Sequence, residues 1–149
     1  MNDEELMRMA IAEAKLAEEH GDIPIGAIVV LNDEVLSSRH NERELQNDPT
    51  AHAEMLAIRD AAKALGTSRL DGAILVSTLE PCPMCAGAAL LARVSRVIFG
   101  AEDPKAGALG SLYQLGSAPR LNHEFVVTPR VLQEECGRLL QKFFQSKRD

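Results

Sequence analysis

Three short apolar runs rich in β-branched residues, at 25–31, 73–78 and 94–99, are interleaved with longer segments whose apolar residues recur at helical spacing. This alternation constrains the fold most. Strands that alternate with helices of ten or more residues need crossover connections, which lay helices on the faces of a largely parallel sheet. In the first helical segment, 3–20, Leu6, Met9, Ala10, Ile11, Ala14 and Ala17 follow an acidic first turn of Asp3, Glu4 and Glu5, and the pattern stops at His20-Gly21. The run 25–31 is apolar on both faces. With the turn residues Asn32-Asp33 and a second run from Val35 it predicts an antiparallel hairpin, half exposed at Ser37, Ser38 and Arg39. A second helix is expected from about residue 49, with Asp48 as N-cap and Pro49 at the first helical position, through Met55, Ile58, Ala62 and Leu65 to Gly66. Residues 86–92 read as a third helix, 125–128 as a short strand, and Val131, Leu132, Cys136, Leu139, Leu140 and Phe143 as the stripe of a last helix. The class is α/β, a mixed sheet of an antiparallel hairpin plus parallel strands, with helices on both faces. The stretch 100–122, rich in Gly, Pro and Ser, is a length of loop that compact domains rarely carry unless it lines a site.

The 149 residues, 46% of them hydrophobic and 26% charged, suit one globular domain spanning 1–149. A chain of this size buries roughly 68–70% of its unfolded surface, so a metal is not needed merely to fold it and is free for chemistry. An acidic start and the lack of any apolar run of signal or bilayer length predict a cytoplasmic protein with no membrane partner. The net charge of −6 counts weakly against a polyanionic partner, but the acidity is local. Residues 1–50 hold 4 Lys/Arg against 12 Asp/Glu, 51–100 hold 5 against 4, and 101–149 hold 7 against 6. Two thirds of the chain can therefore offer basic contacts.

Two of the three cysteines stand as Cys82-Pro83-Met84-Cys85, a spacing typical of metal or redox chemistry, and His52-Ala53-Glu54 lies in the expected first turn of the second helix. If the strands flanking these motifs are neighbours in a parallel sheet, both helix N-termini emerge at the carboxyl edge, where open α/β sheets bind their ligands. One imidazole and two thiolates suit a single Zn²⁺, and three ligands rather than four leave a position for water. Helix N-terminal N–H groups favour the thiolate forms that binding requires. Glu54 is about 200° around an ideal helix from His52, so it cannot share a face with it. At a first turn both side chains lean toward the N-terminus, which puts Glu54 beside the metal as a proton carrier rather than on it as a ligand. A structural zinc or redox pair fits less well, because a His-x-Glu accompanies the cysteines and no fourth ligand does.

His52-Ala53-Glu54 followed by Pro81-Cys82-Pro83-Met84-Cys85 resembles the cytidine/deoxycytidylate deaminase superfamily, in which a zinc-activated water attacks C4 of cytosine or C6 of adenine. The similarity is greatest to the bacterial tRNA-specific adenosine deaminase branch. It extends through Asp48-Pro49-Thr50-Ala51, Thr78-Leu79-Glu80, Cys85-Ala86-Gly87-Ala88, Val97-Ile98-Phe99-Gly100, Asp103-Pro104-Lys105, Gly110-Ser111-Leu112, Leu121-Asn122-His123 and Phe143-Phe144. The resemblance implies a three-layer α/β/α fold, a homodimer, and hydrolysis of adenosine to inosine in a tRNA anticodon stem-loop. It also implies that Asn41, Asp103, Lys105 and His123 contact the flipped nucleotide or its neighbours, and that the last helix, Phe144 included, contacts flanking bases. Glu102 departs from the branch, where a basic residue is frequent, and weakens a phosphate contact. Pro83 also occurs in guanine deaminases of the superfamily.

Plainer readings stand beside these. Phe143 packs on the apolar stripe, Asn41 serves a turn or cap, and Asp103 forms an Asx-turn. His20 and His40 read as surface residues, and Cys136 as a buried small hydrophobe. The rival functions are a free guanine or nucleoside deaminase and a non-catalytic, zinc-stabilised RNA-binding subunit.

Overall fold

Asn2 accepts the Glu5 amide on its side chain at 2.8 Å and starts helix α1, Asp3–Leu16. The expected helix 3–20 tightens into a 3-10 turn at Ala17–His20 and stops at Gly21, whose φ of 79° suits glycine. Strands β1 (Gly26–Leu31) and β2 (Glu34–His40) form the expected hairpin, its turn held by the positive φ of Asn32 and Asp33. Then follow α2 (Ala53–Leu65), β3 (Ile74–Leu79), α3 (Pro83–Ala92), β4 (Arg96–Ala101), β5 (Val126–Thr128) and α4 (Gln133–Arg148). The computed structural model describes residues 1–148.

The five strands form one mixed sheet in the order β2-β1-β3-β4-β5. Alternate residues of each strand feed opposite faces. Ala27, Val29, Leu75, Val97 and Phe99 pack under α2 and α3, whereas Ile28, Val30, Val76 and Ile98 pack under α1 and the first turns of α4, where Cys136 is buried as expected. The layers approach closely because the contacting helix residues are small: α2 presents Ala53, Ala57 and Ala61, and α3 presents Ala86, Ala89 and Ala92. On the other face, a Cβ at Gly26 would overlap the Ala10 carbonyl and the Ala14 amide, so only glycine lets β1 reach α1.

Two expectations need correction. The second helix begins at Ala53 rather than near 49, because Asp48 Oδ1 accepts the Thr50 amide (2.8 Å) and hydroxyl (2.7 Å), closing a local turn instead of capping a helix. His52 therefore sits at the N-cap, outside the first turn. Nor are the strands before the two motifs neighbours: β1 lies between β2 and β3 and runs antiparallel to both. That double reversal leaves β2 and β3 parallel, so both still end at the edge where β3 and β4 finish, at the Leu79–Ala101 pair.

Candidate active site

His52 and Cys82 occupy equivalent places, the N-caps of α2 and α3, in extended backbone. An N-cap side chain ordinarily accepts an amide of its own helix. Neither does so here, and the two side chains turn to each other instead. Pro83 begins α3 at its first position, earlier than expected, which brings Cys85 inside the helix and turns its thiol to the same point. His52 Nδ1 lies 3.6 Å from Cys82 Sγ and 3.5 Å from Cys85 Sγ. Around a tetrahedral zinc with ordinary Zn–N and Zn–S bonds, nitrogen and sulfur stand about 3.6 Å apart. The three donors, all within 4.8 Å of one another, fit that ion, and a set of three rather than four is the kind that catalytic zinc takes together with water.

The electrostatics agree. The hydrogen bond from the Cys85 thiol, with that to His52, pushes Cys82 down to about 4 despite burial. Cys85 is pushed up, first by that same bond and then by burial, and the neighbouring Glu54 and Cys82 charges raise it further. A dication among the donors stabilises the second thiolate, which the protein alone disfavours. Cys82 raises the His52 imidazole through its hydrogen bond, against burial. Glu54, in the first turn of α2, is only 4% exposed, and burial pushes its carboxyl up to about 7, against the pull of its own amide and of His52. Its buried carboxyl, beside the donor set, has a proton affinity suited to giving and taking protons near neutrality.

A functional residue to which the sequence reading assigned no role is Glu80, 2% exposed, at the end of β3 and two residues before Cys82. Its carboxylate accepts the amides of Asp103, Leu109 and Ser111, each at 3.0 Å, and the Ser111 hydroxyl. Burial raises this carboxyl, but those hydrogen bonds outweigh it and hold it below the usual carboxylate range. Gly107 lies against it so closely that a Cβ there would meet the carboxylate. Ala108 donates its amide to the Pro81 carbonyl at 2.9 Å, so the long loop is strapped onto the cysteine turn itself. Glu80 was visible only as part of a motif; its partners are far along the chain.

The other expected residues lie around this centre. Asn41, buried at the end of β2, donates to the Ile23 carbonyl (3.2 Å) and accepts the Arg43 amide (3.1 Å). Asp103 Oδ1 accepts the Lys105 amide (3.0 Å) and the Ala106 amide (3.2 Å) in an Asx-turn, which leaves Lys105 exposed at the loop surface. His123 Nε2 donates to the Val94 carbonyl at 2.8 Å and borders a groove of about 570 Å³ shared with Met55, Met84 and Leu91. Phe144 is 44% exposed and meets Phe143 edge-on at 5.5 Å, while Phe143 carries the Lys147 ammonium over its ring. Of the expected residues, the structure brings His52, Cys82 and Cys85 together at one point with the Glu54 charge beside them, and joins Asp103 to Lys105 in the Asx-turn.

Residues 1–101 match the cytidine and deoxycytidylate deaminase zinc-binding region. The tRNA-specific adenosine deaminase of Bacillus subtilis (strain 168) is 55% identical over 98% of this chain and 91% of its own length. A solved structure from work on A-to-I editing by tRNA:A34 deaminases at the wobble position is 43% identical and superposes with a TM-score of 0.88, over 91% of this chain and 99% of that one. A guanine deaminase structure from Bacillus subtilis lies further off, at 33% identity and a TM-score of 0.66, over 99% and 94% of the two chains. With a zinc-type donor set at the carboxyl edge of the sheet and this order of similarity, the chain belongs to the cytidine/deoxycytidylate deaminase superfamily and, within it, to the tRNA-specific adenosine deaminases.

Proposed function

We propose that this chain hydrolyses adenosine to inosine at the wobble position of a tRNA anticodon loop. The observation that carries the reading is a buried Glu54 carboxyl beside a three-donor site, in a chain 55% identical to a tRNA-specific adenosine deaminase. Zinc, one per chain on His52, Cys82 and Cys85, supplies the Lewis acidity that lowers the pKa of water. Glu54 takes a proton from the attacking water and delivers it to N1 as the water oxygen bonds to C6. It then carries the remaining proton to the exocyclic amine, the C6–N bond breaks, and ammonia leaves. Its raised proton affinity suits both halves of that task. An anticodon-loop base is unpaired and can be splayed into such a site.

Asn41, Asp103, Lys105, His123 and Phe144 supply the outer contacts in this reading. Asp103 and Lys105 sit on the loop that Glu80 suspends beside the cysteine turn, and Phe144 offers an open ring for stacking. The whole chain acts as one deaminase domain. Among the described residues no helix is long and apolar enough to cross a membrane, and we place the enzyme in the cytoplasm with its substrate. A second copy of the chain covers the groove beside α3, where Leu91 is 82% exposed among Met55, Met84 and Leu90.

The zinc-loaded protein is offered an anticodon stem-loop with wobble adenosine alongside free adenosine, guanine and cytidine, and inosine and ammonia are measured. Deamination confined to the stem-loop supports the reading, and ammonia from free bases alone overturns it in favour of a guanine or nucleoside deaminase. Zinc binding with no turnover of any substrate favours the non-catalytic RNA-binding subunit, against which the presence of Glu54 counts.

A further inference from the structure

His20 and His40, expected at the surface, instead face each other in a half-buried pocket between the end of the 3-10 turn and the end of β2. Their Nε2 atoms are 3.1 Å apart, and the rings stand 5.2 Å apart between centroids at an interplanar angle of 30°. Each ring is held from behind by a carboxylate. His20 Nδ1 lies 2.7 Å from Oδ2 of Asp22, and His40 Nδ1 lies 3.2 Å from Oε1 of Glu13. An ionised carboxylate only accepts, so it selects the tautomer with hydrogen on Nδ1 and the bare lone pair on Nε2. Two bare lone pairs thus point at one another across 3.1 Å, an arrangement that repels unless a positive centre lies between them.

We infer that the pair is a second metal site, binding a divalent ion of the imidazole-preferring kind such as Zn²⁺ or Ni²⁺. An ion about 2.05 Å from both nitrogens sees them at an angle of about 100°, within the range of tetrahedral and octahedral centres. A small ring rotation, bringing the centroids to about 4.8 Å, aims both lone pairs at that point. The carboxylate–imidazole–metal arrangement is what fixes ligand orientation at known sites, and here both imidazoles have it. Glu42 Oε2, 4.0 Å from His40 Nε2, adds a carboxylate on the rim. The surroundings favour a cation: the side chains of Asp22, Glu13 and Glu42 ring the pair, and the cation alongside, Arg39, is engaged by Glu42 at 2.9 Å and Asp60 at 2.8 Å. The side chains of both histidines are 17% exposed, so an ion can enter from solvent. Asp22 also accepts the amides of Glu44 (2.7 Å) and Leu45 (3.0 Å), which ties the ion to the segment leading from Asn41 toward His52.

The test uses the full chain already carrying one zinc, with ¹⁵N-labelled histidine. Titration with Zn²⁺ alone, and separately with Ni²⁺ alone, is followed by calorimetry and imidazole nitrogen spectra. We expect one further equivalent per chain, the Nε2 signals of His20 and His40 responding together while those of His52 stay fixed, and a higher melting temperature. His20→Asn and His40→Gln each lose that second equivalent and keep the first. No uptake beyond one equivalent up to millimolar metal, with the signals moving only with pH, overturns the inference and leaves a shared proton between the rings. A second equivalent that persists in the double variant also overturns it. If either variant fails to fold, the wild-type spectra decide alone.

Discussion

Replacing Glu54 with Gln separates what this residue does for the reaction from what it costs the fold. Its carboxyl is raised from 4.5 to about 7, chiefly by burial. At 1.36 kcal/mol per pKa unit, that shift corresponds to about 3 kcal/mol. Between pH 4.5 and about 7 the folded, metal-free protein keeps a proton that the unfolded chain has released, so stability falls as pH rises through that window and the deficit is complete above it. A neutral amide of the same shape escapes the deficit. Glu54→Gln is therefore expected to be more stable than the parent at pH 8 by up to about 3 kcal/mol when zinc is stripped, roughly 6–12 °C in melting temperature for a chain of this size. The gain should vanish at pH 4, and it should shrink in the zinc-loaded protein, where the dication offsets the buried charge. Turnover should drop by a factor of at least about 10²–10⁴, with zinc still bound. Thermal unfolding from pH 4 to 8 with chelator, zinc analysis and an inosine assay on the same preparations measure all three. A variant with the parent's pH profile, or one that loses zinc together with activity, refutes the reasoning; the second result makes Glu54 a ligand.

Cys85→Ser should lower bound zinc to background and bring the melting temperature of the zinc-treated protein down to that of the metal-free one, read by metal analysis and calorimetry. Glu80→Gln removes a charged acceptor from three backbone amides and should destabilise by about 3 kcal/mol, raising KM for the stem-loop while zinc content holds. Because those bonds depress the Glu80 carboxyl, its contribution is complete above the unfolded value of 4.5 and is lost as pH falls through its lower folded value. Proteolysis within residues 102–111 should accordingly rise at acid pH in the parent and already at neutral pH in the variant. Leu91→Asp should convert a dimer to a monomer in light scattering, and a parent that is itself monomeric at micromolar concentration removes the basis for the covered groove. Gly26→Ala should destabilise by about 1–3 kcal/mol, measured by urea unfolding, as the new methyl is driven into the α1 backbone.

The sequence made the elements legible wherever one face alternated with another. The apolar runs of β1, β3 and β4 and the stripes of α1, α2 and α4 were readable because each is buried by its own period. The donor residues were legible for a different reason: the Cys-x-x-Cys and His-x-Glu spacings mark them within a few residues of chain, and Pro83 marks the start of α3 beside the cysteines. Strand order was not legible. The pairing of β1 with β3 joins segments separated by the whole of α2, and nothing in either strand encodes its neighbour. The start of α2 was misplaced because Asp48-Pro49 has the composition of a cap, while the choice between cap and local turn was made by the Thr50 hydroxyl. Glu80 and the His20–His40 pair were missed for the same reason as strand order, since each is defined by partners distant in sequence.

Two buried carboxylates anchor the two long connections, Asp22 through the amides of Glu44 and Leu45, and Glu80 through those of Asp103, Leu109 and Ser111. Neither connection borrows its anchor from His52, Cys82 or Cys85. The second connection is tied to the cysteine turn at one further point, the Ala108 amide on the Pro81 carbonyl, so recutting the walls leaves the metal-binding floor in place only if that amide is kept. A graft that keeps the acceptor at each anchor and exchanges only the residues strung between anchored amides can carry one enzyme's loop onto another's scaffold. If the proposed outer contacts on these connections are correct, substrate choice is a replaceable part, mounted on two acidic pegs.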